Sequence, residues 1–224
     1  MTAVKRSVSK SQGKAQATRA RIVGQAYALF CELGYRSTTM ELIAERAGVA
    51  VQTVYFAFRT KDDLLQAVHE WTVFGDGPPL PPVLQEWHLR AMQEIDAPRA
   101  LRKIVAGIAS LDARMAPMLP VFNAVSQDAA GAIHQRSEEL RRQGMAQLVD
   151  VLARKTPLAH GMTRRRAGDL LHVLTGPESY RAFVLDSGWP ERDWVRWVSN
   201  TLSRELFVEA YRTSEDQRHM RARS

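Results

Sequence analysis

The sequence is short of several features that define common protein classes. Cysteine occurs once among 224 residues, at Cys31, which excludes an intrachain disulfide framework and a cysteine-based zinc site and fits a reducing cytoplasm. No uninterrupted apolar run approaches the roughly 18 residues of a membrane span, and the charged N-terminus has no apolar segment behind it, so neither a signal peptide nor a membrane partner is expected. There is no Gly-rich phosphate loop after a strand and no Gly-x-Ser-x-Gly elbow. The six histidines, His69, His88, His134, His160, His172 and His219, include no i, i+4 pair with a nearby carboxylate. Catalysis, a metal and a cofactor are therefore not expected.

Acidic residues are missing from one end of the chain. Residues 1–24 carry Lys5, Arg6, Lys10, Lys14, Arg19 and Arg21 and no acid, residues 25–60 are balanced, and residues 61–224 hold 22 bases against 21 acids. Nearly all of the net charge of +7 thus sits at the N-terminus, where clustered Lys and Arg gain affinity for a polyanion by releasing counterions. The remainder is close to neutral and has another task.

With 45% apolar and 25% charged residues, the chain has enough apolar material for a sizeable core. Alternation with period two is rare, and apolar residues recur at three- and four-residue steps almost throughout, so an all-α fold is expected. Ile22, Ala26, Leu29, Phe30 and Leu33 make the stripe of a first helix that Gly34 stops. Thr38 to Glu41 has the form of a capping box opening a short second helix. Gly48 breaks the pattern, and Val51, Val54, Tyr55 and Phe58 are the apolar contributions of a third, making a helix-turn-helix. Thr60 caps a fourth helix with an acidic first turn. The segment 75–82, rich in Pro and Gly, is a loop.

Longer helices follow. One carries Leu101, Ile104, Val105, Ile108, Leu111 and Met115, and another runs to about residue 155 with Ile133, Leu140, Leu148, Val151 and Leu152 inward. A helix from Thr163 is interrupted at Gly176-Pro177, and the last begins at Pro190. The expected division is a basic, disordered arm at 1–14, a helix-turn-helix domain at 15–60, a helical body at 61–212 and a polar tail at 213–224.

The string Thr18-Arg19 through Leu29-Phe30, Gly34-Tyr35-Arg36-Ser37-Thr38-Thr39-Met40, Ile43-Ala44-Glu45-Arg46-Ala47-Gly48-Val49, Gln52-Thr53-Val54-Tyr55, Phe58 and Lys61-Asp62-Asp63-Leu64-Leu65 resembles the TetR family of bacterial transcriptional regulators. Asp169-Leu170-Leu171 to Tyr180 is more loosely similar to the eighth helix of many members. The resemblance implies a three-helix DNA-binding head joined by a linking helix to a helical bundle that binds ligand and dimerises. It further implies a cytoplasmic repressor, released from a palindromic operator in double-stranded DNA by a small-molecule effector. A basic helical nucleic-acid-binding or interaction protein without ligand control is the alternative.

Gln52, near the start of the third helix, is the expected base reader, because its amide pairs bidentately with adenine. Thr53 is placed to touch a thymine methyl or a phosphate. By resemblance, Tyr55 gives its hydroxyl to a phosphate, Thr38 and Thr39 present the second helix to the DNA backbone, and Lys61 does so for the fourth. The chain departs from the commoner pattern at Ala50, where a capping serine is frequent, at Gln52 itself, where glycine is frequent, and at Ala57, where histidine is frequent. Arg59 is the candidate to replace the missing polar group. In the body, Trp87, Leu111, Met115, Phe122, His172 and Tyr180 are candidate pocket residues for a largely apolar effector. Leu171, Leu174, Val195, Val198 and Leu202 are the candidate homodimer interface.

Overall fold

In the computed structural model, residues 2–76, 80–125 and 129–208 are described, with side chains from residue 13 onward except 129–131 and 133. The helices are α1 (Thr2–Ser37), α2 (Met40–Ala47), α3 (Val51–Ala57), α4 (Lys61–Phe74), α5 (Glu86–Met92), α6 (Ala97–Met115), α7 (Leu119–Ala124), α8 (Ala129–Lys155), α9 (Arg164–Leu174), α10 (Pro177–Tyr180) and α11 (Glu191–Leu206). A π-helical turn spans Arg181–Asp186. Among the described residues the sole extended pairing is one antiparallel bridge between Leu158 and Phe207. The protein is all-α, as the periodicity requires.

Residues 2–14, expected as a disordered arm, continue α1 without a break. No proline interrupts them, and Ala, Lys, Arg and Gln favour helix against the weaker formers Thr, Val, Ser and Gly13. The expected tail at 213–224 lies outside the described residues.

The chain divides into two compact units, Met1–Pro79 with Pro117–Gln135, and Leu80–Ala116 with Arg136–Ser224. In the first unit, Ile22, Ala26, Leu29 and Phe30 of α1 are buried against Ile43 and Ala44 of α2, Val54 and Phe58 around α3, and Leu64, Leu65 and Val68 of α4. Leu33, expected in the same stripe, is exposed, because the kink at Gly34 (φ 77, ψ 172) ends the regular helix there. Thr60 and Asp63 exchange side-chain and backbone hydrogen bonds, closing the capping box of α4.

In the second unit α6 is the central helix. Asp96 caps it by accepting from the Arg99 amide at 2.8 Å, and Pro98 occupies its first turn, where no amide is missed. Its buried residues Leu101, Ile104, Val105 and Ile108 share a core with Leu148, Val149 and Leu152 of α8, Leu171 of α9 and Trp194, Val198 and Leu202 of α11. Leu140 is exposed instead of inward. The stretch Ala97–Ala124 is apolar enough by length and composition alone to cross a membrane, but 61% of its most apolar window is buried inside the fold, as in a core helix.

Three of the five candidate dimer residues are corrected by the same core. Leu171, Val198 and Leu202 are completely buried, and Leu174 and Val195 pack half-buried against them. An amphipathic helix has one apolar face whether it meets its own chain or another, and here that face is spent within the chain.

Candidate nucleic-acid interface

Two threonines stand between α1 and α2, and the structure gives them different work. Thr38 is fully buried, its hydroxyl donating to the Gly34 carbonyl at 2.8 Å. It therefore does not present α2 to DNA and does not form the expected capping box. Thr39 is the exposed cap, accepting from the Leu42 amide at 3.2 Å. Gly48, left-handed at φ 63, closes α2 and turns the chain toward α3.

α3 starts without a side-chain cap, because Ala50 has nothing to offer its amides. Val54 and Phe58 anchor it in the core. Gln52, Tyr55, Phe56 and Arg59 are exposed and Thr53 is half-buried. Tyr55, expected among the apolar contributions, is 45% exposed, with its hydroxyl 3.5 Å from Glu41 Oε1. Phe56 is 94% exposed and was not legible as a surface residue, since a phenylalanine beside a buried stripe reads as core.

Lys61 turns inward. Its ammonium donates to the carbonyls of Tyr35 at 2.9 Å and Thr38 at 3.0 Å, and desolvation there lowers its pKa. Two of its three donors thus fasten α4 to the corner between α1 and α2, which places Lys61 in support of the head. Tyr35 also donates to Asp62. Arg19 performs a similar service for α3, donating to the Ala57 carbonyl at 2.8 Å and lying 4.0 Å over the Phe58 ring. Lys14 and Arg21 are exposed on α1, whereas the side chains of Lys5, Arg6 and Lys10 lie outside those described.

The six candidate effector residues are distributed over both units. Phe122 belongs to the first unit, stacked on His134 at 4.7 Å between ring centroids. The other five belong to the second. Trp87 covers Gly107 of α6, where a Cβ would meet the indole at 2.1 Å. Leu111 is half-buried and Met115 buried. Tyr180 is buried with its hydroxyl on Glu191 Oε2 at 2.7 Å. His172 is buried beside Arg141, 3.2 Å from Nη2 to Nε2. Asp112 of α6, outside these six, is buried as well.

Comparison with known proteins agrees with the head and the all-α architecture. Residues 22–68 match the family described as bacterial regulatory proteins, tetR family. No curated protein sequence matches the chain. Among solved structures, NalD, the secondary repressor of the MexAB-OprM multidrug efflux pump in Pseudomonas aeruginosa, superposes with a TM-score of 0.64 at 23% identity, covering 88% of this chain and 99% of that one. The fatty acid degradation regulator FadR from Bacillus halodurans gives 0.63 at 18% identity, over 83% and 94% of the two chains. A regulator from Mesorhizobium loti described as a putative TetR-family member gives 0.64 at 20% identity, over 87% and 98%. At these identities the likeness is one of fold.

Proposed function

We propose that this chain, whose residues 22–68 match the tetR family of bacterial regulatory proteins, is a cytoplasmic, sequence-specific transcriptional repressor released from its operator by a small molecule. The observation that carries DNA recognition is the division of labour on α3: Val54 and Phe58 are buried while Gln52, Tyr55, Phe56 and Arg59 face outward. A helix held from behind and bare in front fits the major groove. Gln52 selects adenine, and Phe56 meets thymine methyl groups. Thr53, Tyr55 and the exposed cap Thr39 supply backbone contacts, and Lys14 and Arg21 add attraction without base choice.

One short reading helix contacts too few bases for tight binding, so the protein acts as a homodimer on a palindromic site. The outward sides of α9 and α11 supply the interface. Val173 is 63% exposed on α9, and Trp197 of α11 is half-buried. Control by ligand rests on the body shared with repressors of the same fold, whose effector would favour one spacing of the two heads.

Salt titration of binding to a selected site and to scrambled DNA tests this function. A regulator keeps an affinity ratio of about a thousandfold or more. Equal affinities would instead make the chain a basic binder without base choice. Light scattering that finds monomers at micromolar concentration would remove the dimer.

A further inference from the structure

Asp112 lies in the apolar stripe of α6, four residues beyond Ile108 and eight beyond Ile104. It is 5% exposed, and its Oδ2 is buried without a hydrogen-bond donor. A buried acceptor left unmade is costly, and a buried carboxylate is ordinarily paired.

The neighbouring charges do not supply the missing donor. Arg141 of α8 is committed to Glu138, with Nη2 2.7 Å from Oε2 and Nε 3.0 Å from Oε1, and its Nη1 donates to the His172 carbonyl at 2.7 Å. The Tyr180 hydroxyl is spent on Glu191. His172 is itself buried with its Nδ1 unpartnered. Burial pushes the Asp112 carboxyl well above the usual carboxylate range; Arg141 opposes this, and Glu178 and Glu138 add to it. Burial, with Arg141 and Arg142, pushes His172 down against the opposing pull of Glu138 and Glu178. The guanidinium of Arg141 is thus hydrogen-bonded to Glu138 and not to Asp112.

The buried Asp112 carboxyl is short of one donor. Among the described residues no three His, Cys, Asp or Glu side chains are arranged to hold a metal ion, and a buried carboxyl without a donor suits a molecular cation that brings its own N–H. The same core holds Ile108 and the rings of Tyr180 and Trp194, which suit an apolar remainder. We propose that Asp112 is the anchor for the protonated amine of a small, otherwise apolar ligand. The inference rests on the reading of the body as an effector-binding module and replaces a purely apolar effector with an amphiphilic ammonium ion.

The test uses the full-length protein and three matched probes, n-octylamine, n-octanol and octanoate, with binding followed by tryptophan fluorescence at neutral pH. Octylamine is expected to bind at least about tenfold more tightly than octanol, the scale of a charge-assisted hydrogen bond, and octanoate most weakly. Asp112→Asn should abolish the preference for the amine while octanol affinity stays the same. Glu178→Gln, at an exposed position, should reduce it and serves if the first variant does not fold. Absence of octylamine binding, equal affinities for amine and alcohol, or a preference unchanged in either variant would overturn the proposal.

DNA binding measured in the same titrations separates this inference from ligand control. An Asp112-dependent amine that leaves DNA affinity unchanged supports the site and removes the control. A neutral compound that releases DNA, with octylamine unbound, does the reverse.

Discussion

The ammonium of Lys61 lies 4.2 Å above the ring centroid of Tyr35 and donates to the carbonyl of the same residue. One side chain at the first position of α4 thereby holds the end of α1, and through the Thr38 carbonyl the entry to α2. Replacing it leaves two carbonyls without their donor. Lys61→Met should lower stability by about 1–3 kcal/mol and weaken binding to every DNA sequence about equally. Chemical denaturation and anisotropy on two unrelated sites check this, and a selective loss at one site would argue against it.

Ala50 leaves the start of α3 uncapped, although its backbone already has the extended conformation of a cap, φ −65 and ψ 145. Ala50→Ser should stabilise the protein by about 0.5–1 kcal/mol, and Thr39→Ala, which removes a cap that is made, should cost about 1 kcal/mol. Thr38→Ala should cost at least as much, because its hydroxyl is bonded in the interior. Thermal unfolding of the three variants orders them.

Gly107 gives Trp87 room to lie on α6. Its missing Cβ would sit 2.1 to 2.8 Å from three indole atoms, including Cγ at the root of the ring system. Gly107→Ala should displace the indole and destabilise the protein by about 1–3 kcal/mol despite the gain in helix propensity. A changed tryptophan emission spectrum with a lower Tm is the expected result.

Much of the head was legible because its signals are local. Gly34, Gly48 and the Thr60-Asp63 pair mark ends within a few residues of themselves. The choice between Thr38 and Thr39 was not local, since adjacent threonines offer the same cap and burial against α1 decides between them. The inward hydrogen bonds of Lys61 were not legible for a similar reason: its partners are 26 and 23 residues away. Leu171, Val198 and Leu202 show that a stripe reveals an apolar face without revealing which chain covers it. Asp112 carried a readable signal, an acid in phase with Ile104 and Ile108.

The folded state holds the Asp112 carboxyl above its ordinary pKa of 3.8 through burial and through Glu178 and Glu138, against Arg141. A carboxyl with a raised folded pKa favours the folded state at low pH, and that contribution is lost as pH rises through the folded value. Asp112→Asn should therefore raise Tm at neutral pH, by about 2–4 °C for each kcal/mol relieved, with little gain near pH 4. Calorimetry across that range checks the sign; a gain confined to acid would contradict it.

The central claim is that α3 reads sequence, and selection of binding sites from random DNA tests it most directly. Wild-type protein should enrich a palindrome with half-sites about 10 base pairs apart. Gln52→Ala should relax the preference at one position of each half-site, at a cost of about 1–3 kcal/mol. An unenriched pool, or an identical palindrome selected by Gln52→Ala, would contradict the account.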